Sequence, residues 1–246
     1  MKVPSLESRL AARERPAGWP VLKMRWEELL FMHWAWDAEE IQKTLPQGLR
    51  VDVFEGKAWV AVVPFFMRRV HPTGLPCVPW LSDFLELNVR TYVHDEQGLA
   101  GVWFYSLACN QPVAVEAARR LFYLNYVHAR MKVGRRDGYV VYSSRRGEGA
   151  EAAFEYGMSG EQNEARPGSL EFFLLERYVL FSTDRQGRLL AGRLHHRPYL
   201  AGAGEVPVWS FIPAEQDGFA HPGRGPDHVC VAKSVQVEAW PIQSVS

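Results

Sequence analysis

A chain of 246 residues in which 28 Lys and Arg balance 28 Asp and Glu carries no net charge, and no basic run interleaves with aromatics, so nucleic acid is excluded as an expected partner. Cys77, Cys109 and Cys230 are odd in number and widely spaced, which implies neither a disulfide framework nor a zinc site and suits small core residues in a reducing compartment. With no apolar h-region at the start and no apolar run of membrane-span length, one cytoplasmic domain over 1–246 is expected. It is large enough to bury about 70–75% of its unfolded surface and needs no metal or cofactor for stability.

In chain order, Ser5 to Glu14 reads either as a short helix capped by Ser5 and stopped by Pro16 or as part of a mobile N-terminal arm over 1–18. The run VLKMRWEELLFMHWAW, Val21 to Trp36, predicts a long strand whose second half is buried. His33 lies in that half, as a satisfied core residue or a candidate ligand contact. Asp37 predicts the cap of a helix over 38–44, followed by a short strand over 49–54 and a turn at Glu55-Gly56. Lys57 to Met67 lacks alternation, so it predicts a strand covered on both faces, with Pro64 at a bulge or strand end. Four Pro and Gly residues make Val70 to Trp80 a loop, either a lid over the mouth of a curled sheet or a plain connection.

Phe84 to Val93 alternates strictly. Leu85, Leu87, Val89, Thr91 and Val93 form one face, and Glu86, Asn88, Arg90 and Tyr92 form the other. In isolation the polar row reads equally well as a solvent face. After the turn-like residues 94–98, however, Val102 to Ala108 is apolar or aromatic on both faces, as in a strand buried on both sides. Pairing the two as a hairpin turns Glu86 and Arg90 toward a covered space. Their Cα atoms are then about 13 Å apart, so they meet only through Asn88, a ligand or another strand.

Asn110 and Pro112 open a predicted helix through Tyr123 whose Val115, Ala118 and Phe122 form a core stripe, with Glu116 and Arg120 paired outside. Hairpins are expected around 134–138 and 184–187, a strand over 152–158, a buried helix over 170–177 capped by Ser169, and a closing strand over 228–240. His195 and His196 point oppositely on a strand, and no carboxylate or cysteine stands at metal spacing, so no metal is expected. No G-x-S-x-G, H-E-x-x-H or dinucleotide fingerprint occurs.

Taken in order, WEELLFMHWAW, LPQGLRVDVFEGKAWVAVVPFFM, FLELNVRTYV, GVWFYSLA, GSLEFFLLERYVLF and HHRPY resemble the YqjF-like family of uncharacterised bacterial proteins, over nearly the whole chain. The resemblance implies an acetoacetate-decarboxylase-like fold: mainly antiparallel β in the α+β class, a curled cone-like β-barrel sheet with a few short helices. It places Glu86 on the decarboxylases' acidic active-site residue and makes Arg25 an approximate counterpart of their first-strand arginine. Their Schiff-base lysines fall on or next to Tyr126 and Val127, and no lysine occurs between Lys57 and Lys132.

Two functional readings follow. In one, a pocket lined by Glu86, Asn88, Arg90, Tyr92, Tyr126 and Arg130 takes a small carboxylate or carbonyl compound, with Arg90 on the anion and Glu86 as acid or base. In the other, the same scaffold is a non-catalytic binding or sensing module. A third possibility, an interaction surface, would show as exposed aromatics among the 9 Trp. Nothing in the pattern specifies an oligomeric state.

Overall fold

The computed structural model describes residues 2–245. Its elements in order are α1 (Leu6–Ala11), β1 (Leu22–Trp36), α2 (Ala38–Thr44), β2 (Arg50–Val51), β3 (Ala58–Pro72), β4 (Phe84–His94), β5 (Ala100–Cys109), α3 (Pro112–Phe122) and β6 (Tyr126–Arg136). There follow β7 (Tyr139–Arg146), β8 (Glu151–Glu164), α4 (Leu170–Leu175), β9 (Val179–Thr183), β10 (Leu189–His196), β11 (Leu200–Val208), α5 (Ile212–Glu215), β12 (His228–Ala239) and β13 (Gln243–Ser244).

Side-chain caps start the predicted helices. Ser5 accepts from the Ser8 amide, Asp37 from Glu39 and Glu40, and Ser169 from Phe172. Helix α3 is capped by Gln111, because Asn110 instead accepts from the Leu85 amide and ties the helix start to β4. Helix α4 stops at Leu175, two residues early. Its next two side chains are drawn elsewhere, Glu176 to the Tyr178 hydroxyl and Arg177 to Asp52. Residues 49–54 contribute only the two-residue β2, while β3 runs on to Pro72, beyond the expected strand end. The arm is no free tail, since Arg9 grips Asp52 and Arg13 reaches Glu176.

One large mixed sheet dominates, its strands mostly antiparallel, with β5 parallel to β6 and to β9. The β5–β6 pair is parallel because α3 carries the chain across between them. The sheet curls on itself. Followed strand to strand, β4-β5-β9-β10-β12-β1-β3 returns to β4, and so does β4-β5-β6-β7-β8-β11-β12-β1-β3. The strands β12, β1, β3, β4 and β5 belong to both circuits and carry a core on each face. Leu29, Phe31, Val63 and Phe65 pack in one cluster, and Leu30, Met32, Val62 and Phe66 in the other. That double burial explains why Lys57–Met67 shows no alternation.

Pro64 does mark a bulge, located on the partner strand. Between the pairs Glu27–Phe66 and Met32–Val62, β1 spends one residue more than β3, and Glu28 adopts φ 52° there. No helix among the described residues is long and apolar enough to cross a membrane.

Candidate functional site

Glu86, Asn88 and Arg90 of the β4 polar row face a cavity of about 330 Å³. Trp26 and Phe31 of β1, Phe65 and Met67 of β3, and Ala118 and Phe122 of α3 build its walls. Register fixes its direction. Arg90 pairs with Ala61 and Asn88 with Val63, deep in β3, whereas Glu86 and Phe84 follow toward Phe65 and Met67. Beyond them Val70, His71 and Pro72 rise toward solvent, so Arg90 marks the closed end and the 70–72 rim the open one. Helix α3 lies over the open side: Val113 and Leu121 line the cavity yet are 50% and 69% exposed. The stripe read as core is therefore cavity wall at Ala118 and Phe122, and only Val115 is buried.

Glu86 is fully enclosed. Its Oε2 accepts a hydrogen bond of 2.7 Å from the Tyr126 hydroxyl, and burial raises its carboxyl to about 7 against the opposing pull of that bond. Tyr126 stays a donor because burial and the neighbouring Glu86 push its hydroxyl well above the ordinary tyrosine range. The α3 crossover supplies it: β6 starts at Tyr126, alongside Leu107 of β5, and Arg119 of α3 donates to the Tyr126 carbonyl at 2.6 Å. Cys109, opposite Glu86 across the β4–β5 pair, is no nucleophile, since burial and the nearby carboxylate drive its thiol up to about 12.

Arg90 is 7% exposed and has no carboxylate partner among the described residues. Its contacts include a long 3.5 Å bond to the Leu174 carbonyl and the faces of Phe31 and Tyr92, 5.5 and 5.7 Å away, and its guanidinium also favours the ionised form of the Tyr92 hydroxyl. Neither its Nε nor the Oδ1 of Asn88 has a hydrogen-bond partner. As their spacing along the strand implies, Glu86 and Arg90 make no direct contact, and each faces the cavity from its own position.

Tyr92 and His33 sit behind the cavity and do not line it. His33 Nε2 and the Tyr92 hydroxyl share a hydrogen bond at 2.9 Å, and His33 Nδ1 meets His228 Nδ1 at 3.0 Å. Burial, with His228 and Arg90 nearby, depresses His33 well below the ordinary histidine value, so it is a neutral core residue. Arg25 and Arg130 also lie outside. Met24 and Trp26 take the inward positions of β1, which turns Arg25 out to Glu27 at 2.5 Å, and Arg130 reaches Glu148 at the exposed end of β6. Tyr199, His71, Ala114 and Ala117 line the cavity without having been singled out from sequence, and Ala118 joins them from the stripe read as core. The alanines' i, i+3, i+4 spacing was the available signal for a helix face that leaves room. His195 is partly exposed and His196 buried against Tyr178 and Tyr199; among the described residues no cluster of His, Cys, Asp or Glu is placed to hold a metal.

Comparison with known proteins agrees with this architecture. The family model DUF2071, described as an uncharacterized conserved protein, matches residues 23–236. The uncharacterized protein YqjF of Bacillus subtilis (strain 168) is 32% identical over 233 residues, covering 94% of this chain and 95% of that one. Among solved structures, acetoacetate decarboxylase from Legionella pneumophila aligns with a TM-score of 0.64 at 12% identity, over 100% of this chain and 98% of its own. The enduracididine biosynthesis enzyme MppR aligns with a TM-score of 0.65 at 12% identity, over 93% and 90%. With a family match over most of its length and a fold shared with the acetoacetate decarboxylases, the chain belongs to the uncharacterised YqjF-like family, DUF2071.

Proposed function

We propose that the cavity binds a small carboxylate that also carries a carbonyl, with Arg90 holding the anion and Glu86 exchanging a proton on the carbon beside the carbonyl. The carrying observation is Arg90 itself, a buried cation without a carboxylate partner, on the same wall as an acid balanced near neutrality. A planar guanidinium donates to both oxygens of a carboxylate in a forked pair, which would complete its bonding. A carboxyl poised at about 7 suits proton transfer in both directions. In the step, the Glu86 carboxylate takes a proton from the carbon, whose bonding pair moves into the enolate, and the same proton or one from solvent returns. The Tyr126 hydroxyl holds Glu86 in place throughout. MppR, similar in fold, is described in complex with pyruvate, a compound of this class.

Pyruvate in D2O tests this reading. Its methyl protons should exchange in the presence of the protein, and Glu86→Gln should abolish the exchange. Arg90→Met should weaken pyruvate binding at least tenfold while leaving stability unchanged or raised by up to about 2 kcal/mol, because an uncompensated interior charge is removed. Binding that is lost in Arg90→Met without any exchange in the parent would instead establish the non-catalytic binding module. That second reading draws on the lining itself, which among the described residues contains no Lys, Ser or Cys to form a covalent intermediate.

A further inference from the structure

The cavity lining extends from Arg90 to the 70–72 rim, farther than a compound such as pyruvate requires, and its charged groups gather at one end; the one imidazole of the lining, His71, stands at the open rim with its Nδ1 bound to the Arg69 carbonyl. Arg90 and Asn88 occupy the closed end, followed by Glu86 and its partner Tyr126. From Phe84 outward the walls are Trp26, Met67 and Leu22 on the sheet and Ala118 on α3. Along β4 alone, Arg90 to Phe84 spans about 20 Å at the rise of a strand. Between Glu86 and the His71 rim the walls offer water few polar partners, so a ligand confined to the Arg90 end leaves most of the enclosed surface poorly used.

We infer that the ligand is a single-chain amphiphile, a carboxylate seated on Arg90 whose unbranched alkyl tail of medium length runs past Glu86 and out under α3. The inference rests on the anion-binding role proposed above for Arg90 and adds the tail. The tail's exit has its own marks. Val113 and Leu121 belong to the cavity lining and are exposed, and Gln111, the α3 cap, donates to the Trp80 carbonyl at 2.8 Å, bringing exposed Trp80 beside the same opening. An apolar rim of this kind receives an alkyl chain better than it receives a hydrated anion.

Calorimetric titration with butanoate, hexanoate, octanoate and decanoate, and with octan-1-ol, tests the proposal. Affinity should rise about fourfold for each added methylene, the factor that corresponds to burying one CH2. Octanol should bind at least tenfold more weakly than octanoate, and Arg90→Met should erase that difference. Ala118→Trp, which fills the tail half, should cut the octanoate-to-butanoate affinity ratio more than tenfold; the smaller Ala118→Leu should cut it partially if the tryptophan variant does not fold. Affinity that stays flat from butanoate to decanoate, yet depends on Arg90, overturns the tail and leaves the anion site standing. Equal binding of octanol and octanoate, unchanged in Arg90→Met, removes the anion site and the tail orientation with it.

Discussion

Glu86 gives the site its pH dependence, and the sign follows from burial. Its folded value of about 7 lies above the ordinary 4.5, so between those pH values the folded chain binds a proton that the unfolded chain has released. Stability from this group is therefore fully present below about pH 4.5 and is lost as pH rises through 7. Glu86→Gln keeps an oxygen for Tyr126 and cannot ionise. Urea melts should show the variant gaining on the parent as pH climbs from 4.5 to 8, by about 2–3 kcal/mol at the top. A constant difference across that range would mean that Glu86 is ionised in the folded state at all these pH values. His33 works in the opposite direction, since its depressed value penalises the folded state as pH falls below 6.5, and taking the difference between variant and parent cancels it. Which face carried Glu86 and Arg90 was legible from alternation in FLELNVRTYV. Their partners were not, because Tyr126 arrives through a parallel crossover and the Leu174 carbonyl from a helix 84 residues away, and no local pattern encodes either contact.

At the scale of elements, the short N-terminal helix earns its order through two arginines and very little apolar contact. No residue of α1 is buried and Leu6 is 45% exposed. Arg9 nevertheless forms a two-pronged pair with Asp52, both bonds 2.7 Å, while Arg177 meets the same carboxylate at 2.7 Å. Burial opposes ionisation of Asp52, but Arg177 and Arg9 together hold it below the usual carboxylate range. Removing Arg9 leaves a buried carboxylate with one cation. Arg9→Ala should therefore destabilise by about 2 kcal/mol, between the values for exposed and for fully buried pairs, whereas Arg120→Ala, which breaks the exposed pair with Glu116, should lose less than about 1. Equal losses in urea melts would show that the arm adds nothing beyond surface charge. The Ser5 cap made this helix readable in sequence, but its docking was not, since Asp52 lies 43 positions away in a stretch read as strand.

For the whole molecule, the two-faced strands made a curled or wrapped sheet legible, but the strand pairings that close it were not. KAWVAVVPFFM and VWFYSLA announce burial on both sides, yet nothing in them states that β5 pairs with β4 along its length and with β6 and β9 at two separate points. The strand over 200–208 escaped notice because its AGAGEVPV composition has the small and turn-forming residues of a loop. Gly101 is where closure becomes a packing constraint. It lies opposite Val93 on β4 and next to the β9 contact, and a Cβ added there would stand 2.7 Å from both the Phe181 ring and the Val179 carbonyl. Backbone has to move to relieve that contact, and the strand that must move carries Leu180, a cavity residue. Gly101→Ala should thus destabilise by about 1–3 kcal/mol, the range for overpacking, and lower Tm by several degrees. Gly134 supplies the comparison, since it sits in β6 with nothing within 4 Å of an added Cβ. Gly134→Ala should be neutral or stabilising by up to about 1 kcal/mol through the entropy of the unfolded chain. Thermal melts of the two variants separate a general preference for glycine in strands, which would move both alike, from a steric limit at the β5–β9 junction, which moves only the first. Because β9 borders the cavity, Gly101→Ala should also weaken octanoate binding, linking closure of the sheet to the shape of the site.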